Sequence, residues 1–205
     1  MSTDSTVQTD LLTLHTRVIQ ASIDIVDEVA PADLPKPTPC ADWTLHGLLT
    51  HMIAQHYGFA AAVQGSAAAE PWKSRPLGPD PAESYRAAAE HARAAFAEPG
   101  ALERQCPLVE FGPEVRVAGA QALGFHFVDY VVHSWDVAQT LGLTVYFDDE
   151  VLAAAHQVAA AVPGGELRLA PGAAFGPVVP WPEAVTLDSI VAMLGRSPSW
   201  PDPAA

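Results

Sequence analysis

The sequence predicts an all-α fold: a four-helix bundle with an additional helix, a short hairpin and an extended C-terminal arm. Apolar residues recur at three- and four-residue intervals over five long segments, and Pro and Gly punctuate the gaps between them. Strand-like pieces are confined to one stretch between Leu102 and Val117. With 49% hydrophobic and 17% charged residues, 205 residues suffice to bury a substantial core.

The first helix is expected from about Asp10 to Val29, where Leu11, Leu12, His15, Val18, Ile19, Ile23 and Val26 share a side and Pro31 marks the end. The following PADLPKPTPCADWT holds four prolines in fourteen residues, so it reads as an ordered loop. Thr44 is placed to cap a second helix running to about Val63, with His51 near its middle. An Ala-rich third helix is expected from about Pro81 to Ala97, with Glu83, Arg86, Glu90 and Arg93 on its wet face. CPLVEF and EVRV then flank a Gly-Pro turn, which predicts a hairpin or an extended excursion. The fourth helix, about Ala118 to Leu141, stops at Gly142, and the fifth, about Asp148 to Val162, opens on acids that suit a helix N-terminus. Beyond Pro163 the chain turns Pro- and Gly-rich around one short helix, LDSIVAML. This arm has no core of its own, so Leu167, Phe175, Val178, Val179 and Trp181 are expected to hold it on the bundle. The whole chain reads as one domain, a bundle over about 10–163 and an arm over about 164–205.

Charge and composition exclude several classes of function. A net charge of -14 argues against nucleic acid and anionic membranes as partners, since both are bound chiefly through Lys and Arg. Trp43 to Ala69 is free of formal charge, but His46, Thr50, His51, Gln55, His56 and Gln64 interrupt it, so no transmembrane span is expected. The first residues lack a basic segment followed by an apolar one, which makes the cytoplasm the expected compartment. Cys40 and Cys106 form no CxxC pair and read as free thiols.

The chemistry lies on the fourth helix. Between Val117 and Tyr146 the only formal charges are Asp129 and Asp136, and they share a stripe with His126 and His133. At 100° per residue the four fall within roughly 80°. A buried carboxylate or imidazole is costly unless it is paired or coordinates a metal. Asp129 and His133, spaced i, i+4, form half of a metal site, to which His51 could add a third ligand and leave a position open. Hydrogen-bonded His/Asp pairs within the core are the alternative.

Two segments then point to a family. PTPCADWTLHGLLTHMIAQH resembles the TPC-x-x-W-T-x-x-x-L-x-x-H pattern of the mycothiol-dependent maleylpyruvate isomerase N-terminal domain, a branch of the DinB-like metal-binding four-helix bundles. FHFVDYVVHSWDVAQTLG resembles that family's acid-x-x-x-H-x-W-D-[LV]-A-x-x-x-G helix, and the FGP…GRSPSW tail resembles the ending of its short single-domain subgroup. The resemblance implies a DinB-like bundle with a divalent metal, zinc by preference, on His51, Asp129 and His133. It also implies mycothiol as co-substrate, in thiol transfer or thiol-assisted isomerisation of a small electrophile. The family's isomerases carry Glu at the position of Asp129 and an additional C-terminal domain, so maleylpyruvate isomerisation itself is not expected. A non-catalytic metal- or ligand-binding role remains the alternative, and a homodimer is left open.

The remaining residues receive lesser roles. Asp136 could accept a hydrogen bond from a coordinated imidazole. His126 could face the cavity as an acid or base, with a satisfied core histidine as the competing reading. His46 and His56 point away from His51 and are not expected as co-ligands. Cys40, Trp43 and Trp135 read as structural, and Arg196 as a clasp or as an anchor for a carboxylate.

Overall fold

Helical spacing of Leu, Val, Ile and Ala builds four long helices in a computed structural model that describes residues 3–40, 43–170 and 173–201. They are α1 (Thr3–Val26), α2 (Leu45–Val63), α3 (Pro81–Phe96) and α4 (Gly119–Leu141). α1 packs against α3 and α4, and α2 packs against the same two, so α1 faces α2 across one diagonal and α3 faces α4 across the other. α5 (Asp149–Ala161) lies on α4 and α1, and α6 (Leu187–Met193) lies on α5 and α4. No helix among the described residues is long and apolar enough to cross a membrane.

The helix ends follow local chemistry. Thr44, Asp80 and Asp148 cap α2, α3 and α5 by accepting from Gly47, Glu83 and Val151 backbone N–H groups. Gly142 closes α4 in the left-handed region at φ 72°. At the other end of α4, a Cβ on Gly119 would lie 2.0 Å from the Ala101 carbonyl oxygen, so only glycine lets the helix start there. α1 departs from the expected Asp10–Val29: it starts at Thr3, through a polar segment without a breaker, and ends at Val26. Asp27 and Glu28 follow, and acids are disfavoured at a helix C-terminus.

The stretch between α3 and α4 is a two-stranded antiparallel hairpin, β1 (Gln105–Pro107) and β2 (Arg116–Ala118), with Cys106 opposite Val117. Buried Leu108 and Cys106 root it in a core cluster with Phe59, Trp72, Phe96 and Leu123.

The arm is anchored differently from expectation. Leu167 and Val178 are 69% and 56% exposed and Trp181 is exposed too, whereas Phe175 alone of that set packs on the main core, which also takes in Ile190, Val191 and Leu194. Two arginines do the rest. Arg168 donates to the carbonyls of Val162, Pro163 and Met193, tying together the ends of α5 and α6, and Arg196 reaches into the bundle.

Candidate metal centre

α2 and α4 are neighbours in the bundle, and His51 and the Asp129/His133 pair meet where the two helices pack together. One ligand-capable atom from each of the three lies within 4.8 Å of the other two, the only such triplet among the described residues. Along α4, His133 Nε2 lies 3.3 Å from Asp129 Oδ1 and His133 Nδ1 lies 2.9 Å from Asp136 Oδ2. Arg196, brought in by the arm, completes the row: its Nη2 and Nε donate to the two Asp136 oxygens at 3.0 and 3.3 Å. Asp136 is fully buried, so this ion pair is what allows its charge to stay inside.

The electrostatics follow from that row. Burial alone would discharge His133, but the carboxylates of Asp129 and Asp136 on its two nitrogens overcome it and raise the imidazole to about 9. For His51 the balance reverses: burial, with His133 beside it, outweighs the pull of Asp129 and lowers it to about 4, leaving a free lone pair at neutral pH. Burial works against ionisation of Asp129 and Asp136 as well, yet His133 on the first and Arg196 on the second hold both below the usual carboxylate range. The Trp43 ring stands 4.4 Å from the His51 ring, fixing it from the loop side.

These donors suit a divalent cation. Asp129 Oδ2 is buried with no hydrogen-bond partner, an arrangement that is costly unless something positive fills the space beside it. Two imidazoles and one carboxylate are a common three-ligand set for zinc, and the Asp136 contact is the outer support such a histidine ordinarily has.

His126 lies elsewhere. Its Nδ1 is 2.8 Å from His15 Nε2 and its Nε2 is 3.2 Å from His56 Nδ1, giving a buried chain of three imidazoles drawn from α1, α4 and α2. His56 and His126 stack on Tyr130 at 4.1 and 4.3 Å. Burial presses all three histidines down, His15 to about 3, so the chain is neutral. The polar stripe of α4 therefore serves two neighbourhoods, with Asp129, His133 and Asp136 at the candidate metal centre and His126 in the histidine chain.

Sequence reasoning did not find the roles of two loop neighbours. Trp43 abuts the site instead of standing as a remote anchor, and Cys40 Sγ lies 3.4 Å from Arg196 Nη2, a partner 156 positions away along the chain. It also passed over Gln55 and Glu110. Gln55 follows His51 by one helical turn, an i, i+4 relation that could have drawn attention to it; Glu110 arrives on the hairpin and carries no local signal.

Comparison with known proteins adds to this geometry. Residues 15–138 match the family model of the mycothiol maleylpyruvate isomerase N-terminal domain, a span that contains His51, Asp129, His133 and Asp136. The uncharacterized protein Rv0738 of Mycobacterium tuberculosis strain H37Rv is 29% identical over 195 residues, covering 92% of this chain and 98% of its own length. The corresponding uncharacterized protein of strain CDC 1551 matches equally. Among solved structures, a point variant of mycothiol-dependent maleylpyruvate isomerase superposes with a TM-score of 0.56 at 12% identity, over 78% of this chain and 69% of that one, which shows a shared DinB-like all-α fold.

Proposed function

The chain belongs to the mycothiol maleylpyruvate isomerase N-terminal domain family, and on that premise we propose that it is a metal-dependent enzyme of thiol chemistry, in which His51, Asp129 and His133 hold a divalent cation, zinc by preference. The co-substrate is a low-molecular-weight thiol of the mycothiol type. The reaction is its transfer to a small electrophile, or a thiol-assisted isomerisation of one. The buried, unpartnered Asp129 Oδ2 within the three-ligand cluster carries the reading.

When bound, the cation would take the place of the thiol proton and keep the sulfur nucleophilic at neutral pH. The chain's own residues do the rest. His51 offers its lone pair without first losing a proton, because burial already keeps it neutral. His133 must give up a proton to act as a ligand, and Asp136 fixes its ring through Nδ1 while Arg196 fixes Asp136. The Trp43 ring packs on the His51 ring and limits its reorientation. A negative overall charge disfavours polyanionic partners and suits a small substrate.

X-ray absorption of the zinc-loaded protein with and without added thiol tests the reading. A sulfur neighbour that appears on thiol addition supports it. A metal shell that thiol leaves unchanged favours the alternative, a non-catalytic metal-binding bundle.

A further inference from the structure

Proton placement in the buried histidine chain is narrowly constrained. His15, His56 and His126 are fully buried, and the rings packed on them are aromatic: Phe96 on His15, Phe59 and Phe96 on His126, Tyr85 and Tyr130 on His56. The two tyrosine hydroxyls donate elsewhere, to Ser22 Oγ and to the Met52 carbonyl. Burial keeps each imidazole neutral, so each ring carries one N–H and one lone pair.

These groups must fill two hydrogen bonds, one between His15 Nε2 and His126 Nδ1 at 2.8 Å and one between His126 Nε2 and His56 Nδ1 at 3.2 Å. Only two arrangements fill both. With every proton on Nε2, His15 donates to His126 and His126 donates to His56; with every proton on Nδ1, both bonds run the other way. Any mixture sets N–H against N–H, or lone pair against lone pair, in one of the two gaps. The atoms left over are His56 Nε2 and His15 Nδ1, and both are buried without a hydrogen-bond partner. One of them is therefore an N–H and the other a bare nitrogen.

Opposite charges flank the two ends. Asp129 directly precedes Tyr130, on which the His56 ring stacks at 4.1 Å. Arg93, itself paired with Glu90, lies one turn before Phe96 on α3, and the Phe96 ring stands 5.3 Å from His15. The carboxylate favours a proton on His56, and the guanidinium disfavours one on His15. Both influences select the same arrangement, with the N–H left over at His56 and the lone pair at His15.

We propose that the chain runs in one direction, with the proton on Nε2 in all three histidines, and that the charges of Asp129 and Arg93 at its two ends hold it so. The ends then differ chemically: His56 Nε2 can serve only a hydrogen-bond acceptor, and His15 Nδ1 only a donor. Because the bonds reverse together or not at all, the three rings form one two-state unit that spans α2, α4 and α1. Cancelling the charge of Asp129 loosens the direction as far away as His15.

The test is long-range nitrogen–proton NMR of the imidazole rings in 15N-labelled, chelator-treated, full-length protein at neutral pH, where protonated and bare ring nitrogens resonate far apart. The expected spectrum shows a protonated Nε2 and a bare Nδ1 in His15, His56 and His126, with the other form below about one-tenth in each. Asp129→Asn should raise the Nδ1–H form severalfold and by the same factor in all three rings. Arg93→Gln, at a partly exposed position, should shift the balance in the same sense and serves alone if the first variant does not fold. Nδ1–H in all three wild-type rings, unlike tautomers in neighbouring rings, or a doubly protonated His126 would each overturn the proposal. So would folded variants that keep the wild-type tautomers, or a change confined to one ring.

Discussion

His126 and His133 stand seven residues apart on one side of α4, both buried, and they end in opposite states. His133 lies between two carboxylates and is raised to about 9, while His126 lies between two imidazoles and is pressed well below its ordinary value. Burial is the largest influence on both and disfavours the charged form in both. What differs is the neighbour: a carboxylate within hydrogen-bond distance outweighs desolvation, and a neutral imidazole does not. One half of the stripe is therefore a charge-paired cluster in which a cation can replace the His133 proton, and the other a neutral hydrogen-bonded chain within the core.

Substitutions should separate the halves. The largest effect is expected from Arg196→Ala, which leaves Asp136 charged and buried without its partner; a loss of about 3–5 kcal/mol by denaturant unfolding is predicted, together with weaker metal binding as His133 loses its fixed support. His126→Ala should cost about 2–4 kcal/mol, through the cavity and the two stranded histidine partners, yet leave metal binding intact. If His126→Ala also abolishes metal binding, the two halves are one site.

The pH dependence of metal-free protein sharpens the contrast further. Below pH 6.5 the unfolded chain takes up protons on His15, His56 and His126 that the folded core refuses, so their contribution is intact above that pH and declines on acidification by about 1.4 kcal/mol per unit for each imidazole. His133 has the opposite sign: its contribution is complete below 6.5 and is lost as pH rises toward about 9. Thermal unfolding in chelator should thus weaken on both sides, with His51, lowered to about 4, adding to the acid side, and His126→Phe should make the acid-side decline shallower by one imidazole's share. A flat acid side in the wild type would mean that the histidine chain protonates within the folded core. The smallest effect, about 1 kcal/mol, is expected from Tyr130→Phe, which removes the hydrogen bond to the Met52 carbonyl but keeps the stacking surface for His56 and His126.

How much of this was legible in the sequence depended on how local the signal was. α2 and α4 could be read almost to the residue, because Thr44 and Gly142 mark their ends chemically and Asp129 and His133 announce themselves by spacing and by the absence of other charge. The i, i+3 contact from His133 to Asp136 follows from the same periodicity. The ends of α1 were less clear, because its first turns are polar and lack a breaker, and acids follow its last turn without a capping residue. Long-range contacts left no trace. Nothing local tells that Arg196 returns to Asp136 across 60 positions, that His15 meets His126 across 111, or that Glu110 meets Gln55 across 55. The arm shows the same limit: its apolar residues promised burial, but buried arginines and α6 hold it instead, leaving Leu167 and Val178 in solvent.

The central claim, that one end of the stripe binds a cation and the other does not, is tested most directly by elemental analysis of tag-free protein, as wild type, His133→Ala and His126→Ala prepared alike. Near-stoichiometric divalent metal is expected in the wild type and in His126→Ala, and none in His133→Ala. Equal metal in all three, or none in the wild type even after reconstitution, would contradict it.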